Sequence, residues 1–362
     1  MGWMMNDDGL LAAHAQLKRL WNRGAAFLGS DYAILGGAMS WLSDRHLVSA
    51  ISNAGGFGVI ACGSLNPSAL DAEIAATFDL TDRPFGVNLI TMHPDLADLI
   101  ATCEKRRVSH VALAGGLPPA AAISQLKDAG IRVLAFAPAL ALAKRLVRSG
   151  VDALVIEGME AGGHIGPVST GVLAQEILPA IRDIPVFVAG GIGHGDAIAM
   201  YLAAGASGVQ MGTRFVCATE CVAHPKFKRA FLRGHARDAV PSTQLDERFP
   251  VIPVRALGNK GTQLFVEKQR EVIAKVDAGT ISQAEAQLAI ERFWAGALRR
   301  AAIEGDVEFG SVMAGQSVGL VTKEEPVAEI IEHLVNEAAA ALHAMVVRST
   351  APTPFEQAAT LR

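Results

Sequence analysis

Between Asp31 and Phe215 the chain repeats one unit, a short apolar or β-branched run followed by an amphipathic helical stretch, and this alternation narrows the possible folds more than any other feature of the sequence. The runs are Tyr32–Leu35, Gly58–Ala61, Gly86–Ile90, His110–Leu113, Arg132–Phe136, Ala153–Ile156, Val186–Ala189 and Gly208–Met211. Helical stretches such as Ser43–Asn53, Pro67–Phe78, Ala139–Arg148 and Asp196–Ala204 separate them, and Gly130, Gly150 and Gly205 stand where a helix stop favours glycine. Eight such units in about 190 residues predict an α/β fold, a (β/α)8 TIM barrel, rather than a doubly wound sheet of about five to seven strands.

Composition agrees with a large buried core: 51% of the 362 residues are hydrophobic. With 19% charged residues and a net charge of −4, nothing suggests nucleic acid as a partner, and small molecules are the expected ligands. The four cysteines are sparse, and the C-x3-C spacing of Cys217 and Cys221 matches neither a zinc site nor a redox dithiol. Asp7 and Asp8 precede the apolar residues of the first helical stretch, and no run approaches the ~20 apolar residues of a membrane span, so the expectation is a cytoplasmic protein without membrane association.

Leu10, Leu11, Leu17, Leu20 and Trp21 recur at helical spacing, which predicts an N-terminal helical extension over residues 1–29. The barrel is expected over 30–235. Beyond it, Leu264–Ala278, Ser282–Arg300 and Pro326–Val347 read as helices with no further strand signal. These give a smaller helical lid over 236–309, a segment over 310–348 that returns to the barrel, and a loose tail over 349–362.

In a barrel the loops after the strands surround one mouth, where function gathers. Gly36-Gly37, Asn88, Gly115-Gly116, Glu157 to Gly166, Gly190-Gly191 and Met211-Gly212-Thr213 all take addresses there. The sites after the seventh and eighth strands are where barrels hold a phosphate between backbone N–H groups and a helix N-terminus. VAGGIGHGDA and GVQMGTRF supply Gly190, Gly191, Gly212 and Thr213 for that purpose. Gly191-x-Gly193-x-Gly195 falls one residue short of a dinucleotide fingerprint, so a mononucleotide such as FMN is the better reading.

The ordered set GGAMSW (36–41), NAGGFGVIACG (53–63), RPFGVNLI (83–90), EGMEAGGHIGP (157–167), PVFVAGGIGHGDA (185–197), GVQMGTRFVCATE (208–220) and GSVMAGQSVGLV (310–321) resembles the FMN-dependent nitronate monooxygenase superfamily. The late segment is most similar to enoyl-acyl-carrier-protein reductase II, while Thr213–Pro225 also resembles NAD(P)H:quinone reductases. The resemblance implies an FMN oxidoreductase with NADH or NADPH as electron donor. The reaction implied first is reduction of the conjugated C=C of a trans-2-enoyl thioester. Oxidation of alkyl nitronates with O2 and quinone reduction stay open. The implied partners are a small-molecule or acyl-thioester substrate, with acyl carrier protein and a second copy of the chain as further candidates.

For the cofactor, the resemblance implies Gly37, Ala38 and Met39 lining the flavin, Asn88 at the ring, Glu157, Gly162 and Gly163 at its border, Gly190, Gly191, Gln210, Gly212 and Thr213 at the phosphate and ring, and Met313, Gly315 and Gln316 closing the site. The first loop, Gly36 to Trp41, is one residue longer than the G-G-M-A-W of the reductase pattern. His164, flanked by glycines at a strand end, has the pKa range and the room of a proton donor or acceptor, and the resemblance makes it the catalytic acid or base. Glu157 and Glu160 are expected to cap or anchor the loop, with a carboxylate fixing the imidazole tautomer as an alternative. No histidine falls in a metal-ligand spacing, and no metal site is expected. Arg255, Asn259 and Lys260 are read as exposed charge or as contacts to a substrate phosphate.

Overall fold

The computed structural model describes residues 7–246, 248 and 253–350. Part of the tail expected over 349–362 therefore lies outside the described residues. Nine strands span the first two thirds of the chain: β1 (Ile34–Gly36), β2 (Val59–Ala61), β3 (Gly86–Ile90), β4 (His110–Ala114), β5 (Arg132–Phe136), β6 (Ala153–Glu157), β7 (Gly163–His164), β8 (Val186–Ala189) and β9 (Gly208–Met211). All but β7 pair in the order β1-β9-β8-β6-β5-β4-β3-β2, in parallel throughout. The Leu35–Phe57 bridge joins the two ends of this sheet: Phe57 N–H donates to Ile34 O and Gly36 N–H to Phe57 O, both at 2.9 Å. The expected barrel is present, with every predicted strand within about two residues of its observed place.

Helices α1 (Asp7–Leu28), α2 (Arg45–Asn53), α3 (Pro67–Phe78), α4 (Leu96–Arg106), α5 (Ala120–Asp128), α6 (Leu140–Arg148), α7 (Thr170–Ile177), α8 (Gly195–Ala203) and α9 (Pro225–Arg233) accompany the strands. Their apolar faces bury Leu47, Leu70, Leu99, Leu126, Leu146 and Ile198 against the sheet. No helix among the described residues is long and apolar enough to cross a membrane.

The region beyond 235 departs from the all-helical expectation. Helices α10 (Lys260–Asp277), α11 (Gln283–Ala302) and α12 (Val327–Thr350) are present, but so are β10 (Ala239–Pro241), β11 (Val254–Leu257) and β12 (Val312–Met313). With β7 they form a second, antiparallel sheet centred on β11, which pairs with β10 on one edge and with β7 and β12 on the other. Strands of two to four residues are too short for a period-2 pattern to register, and this is why they escape a reading of the sequence. The α10–α11 hairpin has its own small core of Val254, Phe265, Val272, Ala286, Ile290 and Trp294. Phe265 and Trp294 stack with centroids 4.2 Å apart.

The start of β4 carries a fully buried histidine. His110 Nε2 lies 2.9 Å from the Phe27 carbonyl at the end of α1, Nδ1 lies 2.8 Å from the Ser109 hydroxyl, and the rings of Phe27 and Phe57 stand edge-on to the imidazole. Arg132, at the start of β5, donates to the same carbonyl. The end of α1 is thereby tied to the N-terminal ends of the strands, opposite the mouth. Burial, opposed by the Phe27 bond and assisted by Arg132, pushes the imidazole down to about 4. As pH falls below the unfolded value of about 6.5, the unfolded chain takes up a proton that the folded chain refuses until about pH 4. Stability held above pH 6.5 is therefore lost over that window, by on the order of 3 kcal/mol. Urea midpoints between pH 7 and 4 should show this loss in the wild-type chain, and His110→Gln should lack that component.

Candidate functional site

The loop 157–167 joins the barrel to the second sheet. It begins where β6 ends, at Glu157, and is fixed in three directions. Glu160 accepts from the Thr170 N–H at 2.8 Å and the Thr170 hydroxyl at 2.7 Å, so its carboxylate caps the start of α7 and favours the positive end of that helix. Of the two roles weighed for Glu160, anchoring is the one the geometry displays. The Glu160 carbonyl accepts from Gln316 N–H at 2.9 Å, joining the late segment, and Ile165 N–H donates to Pro253 O at 2.9 Å next to β11.

His164 lies on β7 opposite Val254 of β11, with its side chain exposed at the surface, and Gly163, with φ of 80°, stands opposite Arg255. The left-handed φ at Gly163 is a conformation that an L side chain rarely adopts. Gly162 is constrained differently, by contact. A Cβ there would stand 2.5 Å from Gly315 N and 2.6 Å from the Ala314 carbonyl carbon. Backbone meets backbone, so Ala314 and Gly315 dock on the loop only because Gly162 has no side chain. Gly315 N–H also donates to Thr213 Oγ1 at 3.0 Å, which brings Gly162, Gly315, Gln316 and Thr213 into one cluster with Met313 on β12 beside them.

The other expected residues sit at the ends of the barrel strands. Gly37 N–H donates to Met211 O at 2.8 Å, joining the loop after β1 to the end of β9 beside Gln210. Ser43 holds that loop: its hydroxyl donates to Gly37 O at 3.1 Å and accepts from Met39 N–H at 2.9 Å. Ala38 and Met39 are thereby fixed by a residue that the sequence reading passed over. Trp41 in the same loop has φ of 70°, unusual for a bulky side chain, and the Arg299 guanidinium of α11 lies 5.6 Å from its ring centroid. Asn88 donates from Nδ2 to Ala112 O at 3.1 Å across β3 and β4, and bonds to none of the other expected residues.

The phosphate half of the expectation changes in one respect. The first amide of α8, Gly195 N–H, donates to Glu337 Oε2 of α12 at 2.8 Å, so a carboxylate from the C-terminal helix already serves that helix N-terminus. What remains is the backbone of Gly190-Gly191, with φ of 99° and 74°, and of Gly212-Thr213. Among the described residues no carbonyl accepts from the amides of Gly191, Gly212 or Thr213.

Glu157 accepts no hydrogen bond and forms no ion pair among the described residues, and burial pushes its carboxyl up to about 7. All four cysteines are buried, with burial raising the thiols of Cys62 and Cys217 to about 12 and that of Cys221 to about 11, which suits packing and not reactivity.

Arg255, Asn259 and Lys260 each bond to other parts of the chain. Arg255 is only 2% exposed, so it is not surface charge; it donates from Nε to Met159 O at 2.8 Å and from a terminal nitrogen to Ala239 O. Asn259 caps α10, and its Nδ2 donates to Val307 O and Gly310 O, both at 2.8 Å. Lys260 pairs at the surface with Glu308. A charged residue in a polar stretch reads as exposed until its strand pairing is known.

The Gly162 contact is testable by comparison with an open position. Gly162→Ala should lower thermal stability by about 1–3 kcal/mol, the usual cost of forcing extra volume into a packed contact. Gly171→Ala, on α7 with nothing within 4 Å of the added carbon, should be neutral or raise stability by up to about 1 kcal/mol. Equal effects in thermal melts would mean that the loop and the late segment do not need this close approach.

The nitronate monooxygenase family model matches residues 23–337. The chain is 36% identical to the solved structure of FabK from Thermotoga maritima, with 90% of this chain and 98% of that one covered and a TM-score of 0.81. It is 29% identical to a nitronate monooxygenase of Paraburkholderia phytofirmans over 86% of this chain and 93% of that protein. It is also 37% identical to (3aS,4S,5R,7aS)-5-hydroxy-7a-methyl-1-oxo-octahydro-1H-indene-4-carboxyl-CoA dehydrogenase of Rhodococcus jostii, over 60% of this chain and 62% of that protein, so this match spans less than two thirds of the relative's length. Family match, barrel and whole-length likeness agree: the chain belongs to the nitronate monooxygenase family, within the superfamily of FMN-dependent oxidoreductases that also holds enoyl-acyl-carrier-protein reductase II.

Proposed function

We propose that the chain is an NAD(P)H-dependent flavoenzyme that reduces the conjugated C=C of a trans-2-enoyl thioester. The observation that carries this reading is the docking of Met313–Gln316 on the His164 loop through Gly162 and Thr213, because this late segment is the one whose sequence resembles the enoyl reductases. A relative that acts on a carboxyl-CoA supports a thioester as the substrate class, carried by coenzyme A or by an acyl carrier protein.

The residues present fit FMN. The amides of Gly191, Gly212 and Thr213 suit its single phosphate, and the Glu157 carboxyl, with no hydrogen-bond partner among the described residues, suits a polar edge of the ring. Gly37, Ala38, Met39, Asn88, Gly162, Gly163, Gly190, Gln210, Met313, Gly315 and Gln316 would line the rest. When bound, FMN supplies hydride transfer between the nicotinamide and the β-carbon of the substrate. An imidazole nitrogen of His164 gives the α-carbon its proton, and the glycines beside it leave room for the acyl group. Glu160 and Thr170 keep the loop in place while the proton moves.

A second reading, oxidation of alkyl nitronates with O2, is favoured by the whole-length likeness to the Paraburkholderia nitronate monooxygenase. Anaerobic stopped-flow separates the two. NADH or NADPH should bleach the flavin absorbance of the reconstituted protein, and crotonyl-CoA or a longer trans-2-enoyl thioester should restore it without oxygen. Bleaching by propyl nitronate and not by NAD(P)H would reverse the ranking, and restoration by quinones alone would assign a quinone reductase.

The role of His164 is tested separately. His164→Ala should retain FMN and lose turnover by on the order of 10²-fold. Unchanged turnover would reduce the histidine to a loop residue.

A further inference from the structure

Arg255 is a buried cation whose guanidinium makes no salt bridge within 4 Å among the described residues, the Glu160 carboxylate acting on it only from longer range. Burying a guanidinium is costly, and where only volume is needed an apolar side chain of similar size usually serves as well or better. What the charge gains here is two backbone acceptors in separate segments, Met159 O in the loop between β6 and β7 and Ala239 O at the start of β10. The planar fork of arginine can serve two divergent acceptors from one fixed position, which lysine cannot.

The place of Arg255 in the second sheet adds the link to chemistry. On β11 it stands opposite Gly163 on one edge and Pro241 on the other, and its neighbour Val254 stands opposite His164. One short strand therefore holds the loop twice, by the ladder at Gly163 and His164 and by the Arg255 side chain at Met159. Between these attachments the loop is fixed again, by the Glu160 cap on α7 and the Gln316 bond to the Glu160 carbonyl.

We infer that Arg255 is a positioning residue for the acid–base group: by pinning Met159 to β11 it sets where His164 stands relative to the barrel mouth, and it influences the reaction only through that histidine. The inference rests on the assignment of His164 proposed above, and a double-mutant cycle on the FMN-loaded full chain tests it. Arg255→Met keeps the volume and removes both hydrogen bonds. It should retain FMN and a cooperative melt, change KM for crotonyl-CoA by less than about threefold, and lower kcat by roughly 10- to 10²-fold, the range expected when a reacting group is displaced by about 1 Å. In a His164→Ala background the same substitution should change the residual kcat by less than about twofold, because a residue acting through the imidazole has nothing to act on once the imidazole is gone.

Arg255→Lys, able to reach one carbonyl, should fall between wild type and Arg255→Met, and it carries the cycle if Arg255→Met does not fold. Equal losses in both backgrounds, or an unchanged kcat with His164 present, would overturn the positioning role. If His164→Ala itself leaves turnover unchanged, the acid–base assignment fails and this inference with it. If His164→Ala lowers turnover by on the order of 10²-fold and the Arg255 losses are equal in both backgrounds, only the positioning inference fails.

Discussion

The site depends on a contact in which no side chain takes part. Gly162 and Gly315 bring the loop after β6 and the late segment together at a separation that a single methyl group would prevent. Almost everything else at the mouth follows from this approach. It lets Gly315 reach the Thr213 hydroxyl and Gln316 reach the Glu160 carbonyl, and it lays β12 beside β7 along one edge of β11. Protein interiors are packed too densely to absorb an extra carbon between two backbones without moving one of them.

The two ends of the barrel differ in how their titratable groups are satisfied. At the closed end, His110 is buried with a carbonyl acceptor at Nε2 and a hydroxyl at Nδ1, and burial favours its neutral form. At the open end, Glu157 is pushed toward neutrality and accepts no hydrogen bond among the described residues. Between pH 4.5 and about 7 the folded chain holds a proton there that the unfolded chain releases, so this carboxyl favours the fold in acid and opposes it as pH rises through 7. A carboxyl desolvated in this way is costly to ionise, and groups with such shifts collect at functional sites.

The sequence carried the barrel well because its strands are largely buried between helices and the core and so appear as mostly apolar runs, with glycine just after several of the helices. It carried the second sheet poorly. β7 and β12 have two residues each, and β11, although buried along its length, includes an arginine whose charge argues against burial. The candidate site was legible at the level of glycine, because glycine doublets after strands are visible motifs. Its supports were not: Ser43, Thr170 and Arg255 act through backbone atoms distant in sequence, and nothing in their local sequence marks those partners. The same holds for the start of α8, whose first amide is served by Glu337, 142 residues further along.

That last bond ties the mouth to the order of synthesis. α12 packs against α8, α2 and α1, elements made more than a hundred residues before it. Gly195 lies so close to α12 that an added Cβ would stand 2.4 Å from Ala338 N. The loop preceding α8, which includes Gly190 and Gly191, thus gains one of its flanking supports only after some 140 further residues have been made. A nascent barrel can pair all its strands before then and still lack the helix that covers α8. Contacts of such long sequence separation form late and slow folding, and until they form the apolar face awaiting α12 is open to wrong partners. Assembly of the mouth is in this sense a late event, although most of its residues are made early.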